Sequence, residues 1–266
     1  MKIAYLGSRY HGWQRQPDVV TVEGTILQAF KKANVLTDLK ICKYGYASRT
    51  DSSVHSLSQI IAFDAKNPPN IHKINNLLPG DICIISISTV SPSFSPRYNH
   101  KNKKYRYIIP YSQENVNNMR NAAQILEGNH NFSSFVKTTP NRSAVTSITS
   151  IDIHKEGNIL KCDFTSNWGF YWQQVRRMVT FLIACGQGKI SPNETIDYLK
   201  VTRFPKLPPA SPHQLILFDV SFPNVLFKHF PGATTNYFRY LESAVPSLFT
   251  PSEVIKEFRN YLSQYE

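Results

Sequence analysis

The segment Arg49-Thr50-Asp51-Ser52-Ser53-Val54-His55 sets one carboxylate two residues after an arginine, in a polar connection between two β-type runs. An arginine so close can pair with Asp51 and hold it ionised. An ionised, oriented carboxylate serves as a nucleophile or a general base. An ordinary turn aspartate satisfying backbone donors has the same pattern, and the triplet alone does not choose between them.

Three further segments carry groups suited to a polyanionic ligand. Ser8-Arg9-Tyr10-His11-Gly12-Trp13-Gln14-Arg15-Gln16 mixes cations, amides and aromatics within one loop. Arginines there can meet phosphates, and Tyr or Trp can stack on unpaired bases; a surface loop with a single aromatic anchored in the core has the same composition. Between Asp81 and Glu114 no acidic residue occurs, while Arg97, Lys101, Lys103, Lys104 and Arg106 alternate with Tyr98, Tyr105 and Tyr107. In a strand, Lys103, Tyr105 and Tyr107 share one face and Lys104 and Arg106 the other. Aromatic interleaving without balancing acids favours RNA over a lysine-protected edge strand. In Phe170-Tyr171-Trp172-Gln173-Gln174-Val175-Arg176-Arg177-Met178, two arginines flank an apolar stripe; they suit phosphate or a carboxylate, or simply a solvated helix face.

These groups need a scaffold, and the hydrophobic periodicity supplies one. Strands are expected at 2–6, 40–46, 58–63 and 82–90. A helix capped by Thr21 is expected to bury Val22, Ile26, Ala29, Phe30 and Ala33, and a short one to carry Ile71, Ile74 and Leu78. After the Ser/Pro-rich stretch 91–96 the same order returns. Strand 103–110 leads to helix 115–127 with Val116, Met119, Ala123 and Leu126 inward and Gly128 as its stop. Strands 145–154 and 159–164 then pair across Glu156-Gly157-Asn158, followed by helix 171–185 and strand 215–220. Ser191-Pro192-Asn193-Glu194 fits a capping box. The chain thus predicts an α+β protein of two tandem ferredoxin-like βαββαβ domains, 1–94 and 95–223, whose sheets flank a basic central cleft. Residues 224–266 form an appendage with a helix at 254–262.

Composition bounds the function. The 266 residues are 41% apolar and carry 30 Lys+Arg against 18 Asp+Glu, a formal charge of +12. Such an excess draws polyanions through counterion release. Cys42, Cys83, Cys162 and Cys185 lie far apart with no CxxC pair, so no zinc site is expected and free thiols are. GxGxxG, P-loop, HExxH and GxSxG patterns are absent. The N-terminal apolar run is too short for a signal peptide, and no stretch approaches a membrane span. The expectation is a cytoplasmic protein without metal or cofactor.

Taken in order, Tyr5-Leu6-Gly7-Ser8-Arg9-Tyr10-His11-Gly12-Trp13-Gln14-Arg15-Gln16, Ser48 to His55, Leu78-Pro79-Gly80-Asp81-Ile82, Lys104-Tyr105-Arg106-Tyr107, Ala122 to Gly128, Phe132-Ser133-Ser134-Phe135 and Gln174-Val175-Arg176-Arg177-Met178-Val179 resemble the tRNA pseudouridine synthase A family over about residues 2–222. The resemblance implies isomerisation of uridine in the anticodon arm of tRNA by a cofactor-free homodimer. It implies Asp51 as the catalytic carboxylate, Arg49 as its orienting partner, Tyr105 stacked on the target uracil, Leu215 facing the base and Arg176 reaching into the pocket. Arg9, Trp13, Arg15, His55, Arg97, Lys101, Lys103 and Lys104 are the expected RNA contacts. The family usually has glycine where this chain has Ser48 and Ser53; a serine forced to positive φ costs about 1 kcal/mol. An RNA-binding protein of this fold that lost turnover through those serines is the alternative, and a hydrolase using Asp51 as nucleophile a more distant one.

Overall fold

The computed structural model describes every residue except 37, 66, 138–142, 201–206, 244–250 and 266. In chain order its elements are β1 (Lys2–Tyr5), α1 (Val22–Lys32), β2 (Gly45–Tyr46), β3 (His55–Ala62), α2 (Ile71–Asn75), β4 (Ile82–Ile87), β5 (Asn102–Pro110), α3 (Val116–Leu126), β6 (Gly128–Asn131), β7 (Val145–Ile148), β8 (Ser150–Glu156), β9 (Ile159–Ser166), α4 (Gln174–Gly186), α5 (Thr195–Lys200), β10 (Leu215–Ser221), β11 (Lys228–His229), α6 (Thr235–Ser243) and α7 (Ser252–Leu262). The protein is mixed α+β, and its strand pairs are mostly antiparallel. The chain divides into two compact units, one of residues 1–101 with 216–266, the other of 102–215.

In the first unit β1 lies antiparallel between β3 and β4, and β2 adds to β3, giving the order β4–β1–β3–β2. Ile216 and Leu217 of β10 pair in parallel with His55 and Ser56 at the start of β3. Thr21 caps α1 by accepting from the Gly24 amide, and Val22, Ile26, Ala29 and Phe30 are buried as their helical spacing predicts. They form one core with Ile3, Tyr5, Trp13, Ile61, Ile71, Ile74 and Ile84. The expected strand at 40–46 shrinks to Gly45–Tyr46. The Asp38 carboxylate instead accepts from the amides of Lys40 and Ile41 and folds that stretch into a turn.

The appendage belongs to this unit. Beyond the expected helix at 254–262 it contains α6, whose Tyr237 and Leu241 are buried. Phe258 of α7 meets His55 edge-on at 6.2 Å, and Tyr261 contacts both Phe218 and the Lys2 ammonium.

In the second unit β9 lies antiparallel between β5 and β8, with register Tyr105↔Phe164 and Ile153↔Cys162. α3 buries Met119, Ala122, Ala123 and Leu126, and Gly128 follows it at φ +99°, as a helix stop requires. Both capping-box bonds between Ser191 and Glu194 form. The expected strand 145–154 breaks at Thr149: β7 pairs with β6, which the sequence did not predict, while β8 pairs with β9. Among the described residues no helix is long and apolar enough to cross a membrane.

Candidate active site

Two loops of the first unit are pressed together around Asp51. The first runs from the 3-10 turn Gly7–Arg9 to Trp13, the second from Ser48 to Val54. Their approach is possible because Gly7 has no side chain: a Cβ there would sit 2.0 Å from the Val54 carbonyl oxygen. Gly12, at φ +86°, likewise leaves room for the Thr50 carbonyl, which a Cβ would approach to 2.8 Å.

The space is used for hydrogen bonds. The Trp13 amide donates to the Thr50 carbonyl at 3.1 Å, and the Ser53 amide and Ser52 hydroxyl both donate to the Tyr10 carbonyl. The Tyr5 and Thr50 hydroxyls are 2.8 Å apart and buried. The Gln59 side-chain amide spans the backbone of Ser48, accepting from its N–H at 3.1 Å and donating to its carbonyl at 2.6 Å. The Val54 amide closes on the Asp51 carbonyl at 3.2 Å. Thr50 and Val54 are buried, whereas Asp51 between them is half-buried. The result is a carboxylate at the surface of a backbone held on both sides.

Arg49 is exposed, and its Nε donates to the Tyr46 hydroxyl at 3.1 Å. Ser53 stands at φ +67°; Ser48 is not among the positive-φ residues. Of the two serines in glycine positions, only Ser53 carries backbone strain.

The expected RNA contacts divide by exposure. Trp13 is fully buried, 5.9 Å from Tyr5 and 5.6 Å from Tyr46 ring to ring. It is therefore the core anchor of its loop and not a stacking surface. His55 is also fully buried, and its Nδ1 accepts from the Gly7 amide at 3.1 Å. It ties the two loops together and offers no exposed surface. Arg9 makes two bonds to Asp81, at 2.8 Å through Nε and 2.7 Å through Nη2, yet its side chain remains largely exposed. Asp81, a partner that residue types and spacing do not reveal, is buried and also accepts from the Tyr10 hydroxyl at 2.7 Å. Burial, and then the Asp81 charge, push the Tyr10 phenol up, so it stays a donor. Arg15 lines an open cleft of ≈ 840 Å³ with Lys40, Lys43, Tyr44 and Tyr46. Arg97, its guanidinium 5.4 Å from the Tyr98 ring, and Lys101 are exposed.

In the second unit β5 sorts its residues as alternation predicts, with Lys103, Tyr105 and Tyr107 on the buried side. Lys103 packs beside Gly169 and is too enclosed to serve as a free phosphate contact. On the other side Arg106 grips Asp163 of β9 through two 2.7 Å bonds, and Lys104 lies 3.9 Å from the same carboxylate. Part of the basic character of this strand is thus balanced from a distant stretch of sequence. The Tyr105 ring meets Phe170 edge-on at 5.5 Å. The Tyr107 hydroxyl donates to Gln214, next to buried Leu215; burial pushes this phenol up, and the positive charge of Arg176 partly offsets that. Arg176 donates through Nε to the Ala210 carbonyl at 2.6 Å, pinning the chain ahead of β10 to α4.

Residues 122–223 match the family model described as tRNA pseudouridine synthase. The chain is 35% identical over 229 residues to the tRNA pseudouridine synthase A of Thermococcus sibiricus, covering 86% of each chain. It is 35% identical over 224 residues to that of Methanothermobacter thermautotrophicus, covering 84% of this chain and 80% of the relative. With the enzyme of Methanosphaera stadtmanae the identity is 34% over 253 residues, covering 91% and 90%. The chain belongs to the tRNA pseudouridine synthase A family, a family of isomerases.

Proposed function

We propose that the protein isomerises uridine to pseudouridine in the anticodon stem-loop of tRNA, at about positions 38 to 40, on a nucleotide taken out of its stack. Asp51 is the catalytic carboxylate in this reading and Arg49 orients it. The observation that carries the assignment is the bracing of the backbone around Asp51: its neighbours are tied to Tyr5, Tyr10 and Trp13, the Tyr5 bond being buried, while Asp51 itself is half-buried. A reacting group held so firmly has little freedom to lose when the substrate arrives.

The reaction breaks the N1–C1′ bond of uridine, turns the uracil and joins C5 to C1′. The C5 hydrogen passes to water and N1 takes up a proton. Asp51 can attack C1′, add to C6 of the base or remove the C2′ proton; each route begins from the carboxylate anion. Tyr105 is assigned to stacking on the uracil, Leu215 to its apolar contact and Arg176 to the pocket. The buried setting of Tyr105 and Leu215 suits a site that keeps water from the intermediate. The order β4–β1–β3–β2 of the first unit supports a ferredoxin-like reading, extended to the second unit by its β5–β9–β8 order. We read the domains as bounded near 94 and 223, and the protein as a cytoplasmic homodimer without metal or cofactor.

Release of tritium from tRNA transcripts labelled at C5 of uridine tests the function. The purified chain should release it from substrates with uridine in the anticodon arm and lose that release when those uridines are replaced by cytidine. Release of free uracil would favour the hydrolase, and binding without any release the non-catalytic alternative.

A further inference from the structure

The connection between β9 and α4, Asn167-Trp168-Gly169-Phe170-Tyr171-Trp172-Gln173, exposes two tryptophans, Trp168 at 76% and Trp172 at 52%. Two open indoles on one short connection are the kind of exposed apolar surface that marks a contact site. The backbone of the connection is tied at Trp168, Gly169 and Tyr171. The buried Ser166 hydroxyl accepts from the Trp168 amide at 3.1 Å and lies within bonding distance of the Ser147 and Gly169 carbonyls, at 2.7 and 3.1 Å. The Tyr171 amide donates to the side chain of fully buried Gln174 at 2.9 Å.

The surroundings say what kind of ligand covers these rings. The Lys137 ammonium lies 4.2 Å from the Trp172 ring centre. The segments 128–151 and 164–193, which supply the patch and its neighbours, contain no Asp or Glu at all. An aromatic surface with a cation on it, built from stretches of chain that carry no acidic residue, suits stacked bases on a phosphate chain better than a protein face. The inner side of the same connection carries Phe170, which touches Tyr105.

We propose that Trp168 and Trp172 form a stacking platform for unpaired bases of tRNA next to the target uridine. This rests on the reading of Tyr105 as the residue that stacks on the target, since Phe170 links platform and Tyr105 in one loop. Lys137 contributes a phosphate or cation–π contact at its edge.

The test titrates the full chain with unmodified tRNA transcript, following tryptophan emission and filter binding, for the wild type, Trp168→Leu, Trp172→Leu and the double variant. Trp13 is the remaining tryptophan and is buried, so a fall in emission on binding reports the two exposed rings. The wild type should be quenched, and Kd and KM should each rise about ten-fold per indole removed. Trp168→Phe and Trp172→Phe should restore most of the affinity, because an aromatic face is what matters. Leu226→Ala, an exposed apolar residue of the first unit, should change nothing. If the wild type binds and turns over tRNA but the double variant binds it equally well, the platform is refuted and the function stands. If the double variant loses self-association while each chain still binds tRNA as before, the surface is a protein contact and the proposal fails. If the wild type neither binds tRNA nor releases tritium, the functional reading fails and the platform with it.

Discussion

The hydroxyls of Tyr5 and Thr50 lie 2.8 Å apart in the interior, one residue ahead of Asp51. This bond joins the end of β1 to the loop that presents the carboxylate, and it is buried on both sides. Tyr5→Phe and Thr50→Val each break this buried bond and should cost about 1–3 kcal/mol in urea unfolding. The double variant should recover much of that loss in stability. It should not recover turnover, expected to fall about 10- to 100-fold as the loop shifts. Additive stability losses would show that the two hydroxyls do not depend on each other.

Ser53 holds φ +67°, a conformation that glycine adopts without strain. Ser53→Gly should raise stability by about 0.5–1 kcal/mol, the relief of left-handed strain less the added freedom of the unfolded chain. Ser48→Gly lacks the first term and should be neutral or destabilising. Equal urea midpoint shifts for the two variants would contradict this difference.

How much of this was legible beforehand follows from the range of the interactions. α1, α3 and the Ser191–Glu194 capping box depend on residues three or four apart, and they form where periodicity placed them. The fates of Trp13 and His55 depend on partners far along the chain: Tyr46 for one, Gly7 and Phe258 for the other. Composition cannot tell an indole that stacks on a base from one that stacks on a core tyrosine. The break at Thr149 escaped notice for the same reason, since β7 turns aside only because β6 is there to pair with it. Asp51 was singled out by the family resemblance, but the hydrogen bonds around it were not. Its bracing comes from a loop some forty residues earlier.

Arg97 and Lys101 are the exposed cations of the acid-free stretch, in contrast to buried Lys103. Replacing both by alanine should weaken tRNA binding and reduce the slope of log K against log salt by about 0.7–0.9 per residue. An unchanged slope would remove them from the phosphate-binding surface.

Burial pushes the Cys83 and Cys162 thiols up to about 12, from an ordinary 9.0. Between those values the unfolded chain gives up protons that the folded chain keeps, so stability falls as pH rises from about 9 towards 12. The loss is at most about 1.4 kcal/mol per pH unit for each thiol. At pH 8 only Cys42, the one cysteine that is not buried, should react quickly with a thiol reagent, and all four should react in denaturant. Rapid labelling of Cys83 or Cys162 in the folded protein would contradict their enclosure.

Tritium release by Asp51→Ala, set against the wild type, decides the role of Asp51. The variant should release tritium only at background, with unfolding midpoint and tRNA affinity close to those of the wild type. Release within ten-fold of the wild type would show that another group carries the reaction.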